Sequence, residues 1–132
     1  VKTLHPKVFG GILAKRNEEH LADLAGASIG AIDVVVVNLY PFEDKVAKGA
    51  PFDEAIENID IGGPSMVRAA AKNFHSILVV PDPGHYGRIM AELSASAFTV
   101  GLALRRELAV ETFARVSAYD AMIADYLRTH EV

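Results

Sequence analysis

The residues best suited to chemistry lie in the segment 58–73, which reads N-I-D-I-G-G-P-S-M-V-R-A-A-A-K-N. Asp60 precedes Gly62 and Gly63, and glycine adopts unusual backbone angles at little cost. Pro64 fits the first position of a helix, so the order predicts a helix that begins there. The N–H groups at a helix start commonly hold phosphates or developing oxyanions. The segment therefore predicts an anion-holding turn.

The predicted helix also carries polar groups on one face. Ser65, Arg68 and Lys72 are spaced i, i+3 and i+7, which aligns a hydroxyl and two cations. That face could contact an anion. The alternative is a capped amphipathic helix whose arginine and lysine are solvated, and the Gly-x4-Gly-Lys-Ser/Thr pattern of a P-loop is absent.

The clearest predicted strand is 32–39, a β-branched run typical of a parallel strand buried on both faces. Asn38 and Tyr40 follow at its carboxyl end, where open α/β sheets bind ligands. The Asn38 amide needs buried partners there, and a ligand can supply them. For Tyr40, the alternative is an aromatic ring packed under the proline turn.

The first six residues, V-K-T-L-H-P, place an amine, a hydroxyl and an imidazole close together. The proline favours an extended His5, so Lys2, Thr3 and His5 are predicted on a loop. Loops of this kind often carry function. The alternative is a solvated N-terminal tail.

The remaining segments alternate between helix and strand patterns. Predicted helices cover 17–25, 51–58, 86–93 and 101–129, the last as one helix or two. A charged loop is predicted over 43–50, a second strand over 76–80, and either a helix or a strand over 8–16. Strand, helix and strand in this order predict a parallel pair with a right-handed crossover, and hence an α/β fold.

Composition narrows the class of protein. The chain has 132 residues, of which 51% are hydrophobic and 23% charged, as expected for one globular domain. A net charge of -4 gives no general attraction to nucleic acid, and zero cysteines exclude disulfides and thiolate chemistry. The apolar runs are too short to span a bilayer, so a cytoplasmic protein without membrane contact is expected. Histidine spacing predicts no metal site, and no Gly-x-Ser-x-Gly elbow is present.

Several long motifs occur together and in order: V-K-T-L-H-P at 1–6, V-V-V-N-L-Y-P-F at 35–42, the segment 58–73, and S-A-Y-D at 117–120. Together they closely resemble the IMP cyclohydrolase domain of the bifunctional AICAR transformylase/IMP cyclohydrolase family. The resemblance implies a three-layer α/β domain like methylglyoxal synthase, with a mainly parallel sheet between helices. It spans residues 1–132.

The chain also departs from the pattern of the family that it resembles. Family domains carry some sixty residues, roughly one strand-helix-strand section, ahead of the first motif. We therefore expect an N-terminally incomplete cyclohydrolase-type domain without the transformylase domain. Phe9 stands where the family commonly has histidine, which puts any role of that imidazole in doubt.

The implied reaction closes a purine ring in 5-formamidoimidazole-4-carboxamide ribotide, with loss of water, to give IMP. It needs no cofactor, since 10-formyltetrahydrofolate serves only the transformylase. The implied catalytic residues are Lys2, Thr3, Tyr40, Asp60 and Lys72. The implied substrate-binding residues are His5, Asn38, Gly62, Gly63, Ser65, Arg68 and Asn73.

In this interpretation Asp60 orients or deprotonates the carboxamide, while Lys72 and Lys2 stabilise the formyl oxygen and supply the proton. A helix puts Lys72 roughly 12 Å from Pro64 along its axis, so Asp60 can meet Lys72 only if the loop folds back. The expected partners are a purine nucleotide and a second copy in a homodimer. Two alternatives stay open: a domain of the same fold that binds a phosphorylated effector, and an inactive fragment.

Overall fold

A computed structural model describes residues 3–39 and 42–130 of the chain. Lys2 and Tyr40, both predicted catalytic residues, therefore lie outside the described residues. The elements in chain order are α1 Pro6–Leu13, α2 Glu18–Gly26, β1 Val34–Val36, α3 Phe42–Ala47, α4 Phe52–Glu57, α5 Gly62–Lys72, β2 Leu78–Val80, a 3-10 turn Pro83–His85, α6 Tyr86–Ala95 and α7 Leu102–Thr129. None of these helices is long and apolar enough to cross a membrane.

The two strands pair in parallel, which confirms the predicted α/β class. Val34 lies opposite Leu78, and Val36 lies opposite Val80. The expectation that the first strand is buried on both faces is wrong: Val34 is 49% exposed and Val36 50% exposed, whereas Val35 is buried. Among the described residues β1 has β2 as its single partner strand, and the two half-exposed valines line a cavity.

The main core lies where α5 and α7 pack against each other and against β2. Ala70 and Ala71 of α5 are fully buried, and their small side chains allow the helices to approach closely. Leu108 and Val116 contribute from α7, and Val79 from β2. The core thus fixes α5, and with it the residues that precede α5.

A second apolar cluster joins the distal half of α7 to α3 and α4. The Phe42 ring meets the Tyr119 ring edge-on at 6.4 Å and the Tyr126 ring at 5.4 Å, measured between centroids. The prediction of a loop over 43–50 is wrong in its first half, because the buried Phe42 anchors a short helix there. The region 101–129 is one helix of 28 residues.

The sequence did not predict the starts of α1 and α5 correctly. The segment left open at 8–16 contains most of α1, whose N-cap His5 accepts a hydrogen bond from the Lys7 N–H through Nδ1. The helix predicted to begin at Pro64 begins at Gly62 instead. Pro64 is tolerated because N–H groups of the first turn have no partner within the helix.

Asn73 ties the end of α5 to the end of α1. Its side-chain Nδ2 donates to the Ile12 carbonyl at 2.9 Å and to the Ala14 carbonyl at 3.0 Å, and the residue is buried. Carbonyls at a helix end lack partners within the helix, so this amide satisfies groups that would otherwise be desolvated at a cost.

Replacement of Asn73 should therefore weaken the fold. We expect Asn73→Ala to lower the free energy of unfolding by about 1–3 kcal/mol, since two buried hydrogen bonds are lost. Urea denaturation would measure this. The matched control is Asn58→Ala, whose amide donates to the Glu54 carbonyl at the surface and whose loss should cost no more than about 0.5 kcal/mol. Equal losses in the two variants would contradict the assigned role.

Candidate functional site

Asp60 is the charged side chain around which the candidate site is arranged. It is only 8% exposed, and its Oδ1 accepts a hydrogen bond from the Gly63 N–H at 2.9 Å. A carboxylate in this position is stabilised by the positive end of α5. The sequence predicted that this turn holds an anion. In the structure, the anion at the Gly63 N–H group is the chain's own Asp60 carboxylate.

Glycine is required at this turn by close approach. A methyl group added at Gly63 would overlap the Asp60 carboxylate. One added at Gly62 would lie 3.0 Å from the Thr3 carbonyl oxygen, tighter than ordinary contact. The first motif of the chain therefore lies directly on the start of α5, and Thr3, Asp60, Gly62 and Gly63 come together.

The Thr3 and His5 side chains are engaged locally in this loop. Thr3 Oγ1 accepts from the His5 N–H at 3.0 Å, and His5 Nδ1 accepts from the Lys7 N–H at 3.1 Å. The His5 imidazole thus caps α1 at an exposed position. These bonds give the loop a defined shape against α5.

Asn38 joins the strand ends to this turn. It lies two residues beyond β1 and lines a cavity of about 540 Å³ that Asp60 and Gly63 also line. The valines of β1 form an apolar wall of the same cavity. The expectation of buried partners for the Asn38 amide is wrong, because the residue is exposed.

Tyr119 on α7 contacts the backbone of Asp60. The sequence predicted no role for Tyr119 beyond its place in the S-A-Y-D motif. Its Oη accepts a hydrogen bond from the Asp60 backbone N–H at 2.8 Å. Burial raises the pKa of the Tyr119 phenol, and the carboxylates of Asp60 and Asp120 raise it further. The phenol is therefore neutral at ordinary pH.

Ser65 lies in the first turn of α5, whereas the predicted site residues Arg68, Lys72 and Asn73 lie further along α5 or at its end. Ser65 Oγ donates to the Ile61 carbonyl at 2.7 Å, and the Arg68 guanidinium carbon lies 5.7 Å from the Phe113 ring centroid. Asn73 is engaged with α1, and Lys72 is exposed at the last position of α5.

Asp60 and Lys72 are thus separated by the length of α5. The helix rises about 1.5 Å per residue, so Lys72 lies roughly 13 Å along the axis from Gly63. The loop does fold back, but it brings Asp60 to the start of the helix. A directly cooperating pair of Asp60 and Lys72 within one chain does not fit this arrangement.

A second polar cluster fixes the exit of β2 onto α7. Arg115 pairs with Asp82 at 2.8 Å and with Glu111 at 2.7 Å, and His85 Nε2 lies 2.8 Å from Glu111. The hydrogen bond from the Gly84 N–H lowers the pKa of Asp82, and Arg115 and His85 lower it further. Asp82 and Arg115 line a smaller cavity of about 340 Å³ together with Asn38 and Tyr119. Within residues 3–39 and 42–130, no group of three or more histidine and acidic side chains is arranged to hold a metal ion.

Comparisons with known families match both halves of the chain. A model described as an MGS-like domain matches residues 4–65, and one described as the AICARFT/IMPCHase bienzyme matches residues 70–132. The first match confirms the predicted methylglyoxal-synthase-like fold. The crystal structure of ForH superposes with a TM-score of 0.77 at 35% sequence identity, over 92% of this chain and 64% of that one.

Curated relatives extend the match along nearly the whole chain. The bifunctional purine biosynthesis protein PurH of Paracoccus denitrificans is 54% identical over 128 residues, which is 96% of this chain. PurH of Rhodospirillum rubrum is 53% identical over 129 residues, or 97% of this chain. This chain spans only 24% of the length of either relative. By its sequence and fold, the chain belongs to the family of the bifunctional purine biosynthesis proteins, AICAR transformylase/IMP cyclohydrolase.

Proposed function

We propose that this chain carries the ring-closing site of an IMP cyclohydrolase. The observation that carries the proposal is the turn at Asp60, where Asp60 and Gly63 line a cavity with Asn38 and the Thr3 backbone lies against the neighbouring Gly62. Three of the motifs that resemble the cyclohydrolase domain converge there, although they are far apart in sequence.

The proposed reaction joins two groups of one substrate. The carboxamide nitrogen of the formamidoimidazole carboxamide ribotide attacks the formyl carbon and forms a C–N bond, and a proton passes from this nitrogen to the formyl oxygen. The resulting hydroxyl then leaves with the proton of the former formamido N–H as water, and a C=N bond remains. Atoms balance without an oxidant, a reductant or a cofactor. An amide nitrogen is a poor nucleophile, so proton removal is the step that most needs a protein group.

Asp60 is the group best placed for that proton. Asp60 lines the cavity, and the hydrogen bond from the Gly63 N–H holds its carboxylate in one orientation. A held carboxylate loses little freedom when it meets the substrate, which favours reaction. The Asn38 amide, at the same cavity, is proposed to orient the base.

The formyl oxygen and the departing water need a cation or a proton donor. Lys2 is proposed for this role because the next residue, Thr3, contacts Gly62 at the turn. Lys72 of the same chain is left out of this step, since it lies at the far end of α5.

The test uses a chimera in which these 132 residues replace the matching segment of the Paracoccus denitrificans relative, assayed for IMP formation by absorbance. We expect the chimera to close the ring, and Asp60→Asn to lower kcat by about 10²–10⁴-fold, the usual contribution of a general base. The matched control is Asp53→Asn, an exposed carboxylate in α4, which should leave kcat unchanged. A chimera that binds IMP but never closes the ring would contradict the proposal and favour an effector-binding domain.

The glycine turn gives a second prediction, measured on this chain alone. Gly63→Ala should displace the Asp60 carboxylate and lower the free energy of unfolding by about 1–3 kcal/mol, the usual cost of overpacking a tight site. The control Gly87→Ala adds a methyl group to α6 where nothing lies within 4 Å, and it should stabilise the chain by up to about 1 kcal/mol. Thermal or urea unfolding would measure both. A neutral Gly63→Ala would mean that Asp60 is not held against Gly63.

A further inference from the structure

Tyr119 holds a position that the proposed reaction does not yet explain. It lies on α7, 59 residues beyond Asp60, and it is only 5% exposed. Its Oη is the acceptor for the Asp60 backbone N–H at 2.8 Å. Buried backbone N–H groups usually pair with other backbone groups, in helices, sheets or turns. Here a side chain from a distant helix takes that place.

The hydrogen bond to Tyr119 acts on Asp60, and the proposed reaction depends on the orientation of the Asp60 carboxylate. The Asp60 carboxylate is attached to the same backbone that Tyr119 holds, and the carboxylate is fixed at its other end by the Gly63 N–H. Asp60 is therefore held at two points, one by α5 and one by α7. Loss of either contact would let the carboxylate shift relative to the cavity.

Tyr119 itself is held firmly. Its ring meets the Phe42 ring edge-on at 6.4 Å, and Phe42 ends the motif that also contains Asn38. Tyr119 and Asn38 line the same smaller cavity, while Asn38 and Asp60 line the larger one. One tyrosine thus touches both the segment of Asp60 and the segment that follows Asn38.

We propose that Tyr119 is a positioning residue for Asp60, which fixes the carboxylate for ring closure through the bond from the Asp60 N–H to its hydroxyl. This inference rests on the proposed function. Tyr119 has no part in the proton transfers themselves. Tyr119 links α7 to the site, so the position of α7 determines the position of Asp60.

The matched control is Tyr126, seven residues further along α7. Tyr126 is also buried, at 7% exposed, and also packs edge-on against Phe42, at 5.4 Å. Its ring lies in the same apolar cluster as Tyr119, but the Asp60 N–H bonds to the Tyr119 hydroxyl. Removal of each hydroxyl therefore changes the same chemical group on the same helix, and only one removal affects Asp60.

The first measurement is hydrogen exchange of the Asp60 amide by NMR, on this chain. We expect Tyr119→Phe to speed this exchange by about tenfold, the effect of losing one hydrogen bond, and Tyr126→Phe to leave it unchanged. Replacement of Tyr119 by 3-fluorotyrosine keeps the ring and the hydroxyl but weakens the oxygen as an acceptor. It should speed the exchange by a smaller factor, and it keeps the test available if Tyr119→Phe unfolds.

The second measurement is steady-state kinetics in the chimera. We expect Tyr119→Phe to lower kcat by about 10- to 100-fold, as for a catalytic group displaced by a fraction of an ångström or more, with KM nearly unchanged. Tyr126→Phe should keep both constants. A fall in kcat without a change in KM is expected when an interaction made in the transition state is lost, and the Tyr126→Phe control shows whether general loosening of the protein gives the same fall.

The outcomes separate the two proposals. Unchanged exchange at Asp60 in Tyr119→Phe would overturn the positioning role, and so would an equal fall in kcat in Tyr126→Phe. If the unsubstituted chimera binds IMP without closing the ring, the proposed function fails. In that case the exchange measurement still decides whether Tyr119 fixes Asp60.

Discussion

The rest of the site depends on one interaction, the hydrogen bond from the Gly63 N–H to the Asp60 carboxylate. It starts α5 two residues earlier than Pro64, buries a charged group at the positive end of a helix, and requires the close approach that only glycine allows. A buried carboxylate without such a partner would be costly. The turn is therefore both the cap of a core helix and the centre of the candidate site.

The surrounding elements serve mainly to hold that turn in place. The buried alanines of α5 let it pack closely on α7 and β2, so the start of α5 has little freedom. The long helix α7 then reaches the turn from the other side through Tyr119. The Asp60 turn is thus held between two packed helices, and the larger cavity lies beside it at the strand ends, where α/β folds commonly bind ligands.

Much of the fold, and the glycine turn of the candidate site, could be predicted from local sequence patterns. The parallel strand pair, the helix capped by Asn17 and the glycine turn at the start of α5 follow from periodicity, capping preferences and the backbone freedom of glycine. Other features depend on contacts between distant residues, which no local pattern contains. The amide of Asn73 reads locally as a helix stop, and only the packing of α1 on α5 shows that it joins the two helices. The helical wheel likewise could not show that Ser65 donates to the Ile61 carbonyl or that Arg68 lies over the Phe113 ring.

The most informative measurement on the proposed ring-closing site is a crystal structure of the chimera with IMP bound. We expect the hypoxanthine ring to lie in the larger cavity, between Asn38 and Gly63, with the Asp60 carboxylate within hydrogen-bond distance of the ring atoms formed in the closure. The bond from the Gly63 N–H should remain in place. IMP bound away from Asp60, or a bound base that faces α5 from the Lys72 end, would contradict the proposed role of Asp60.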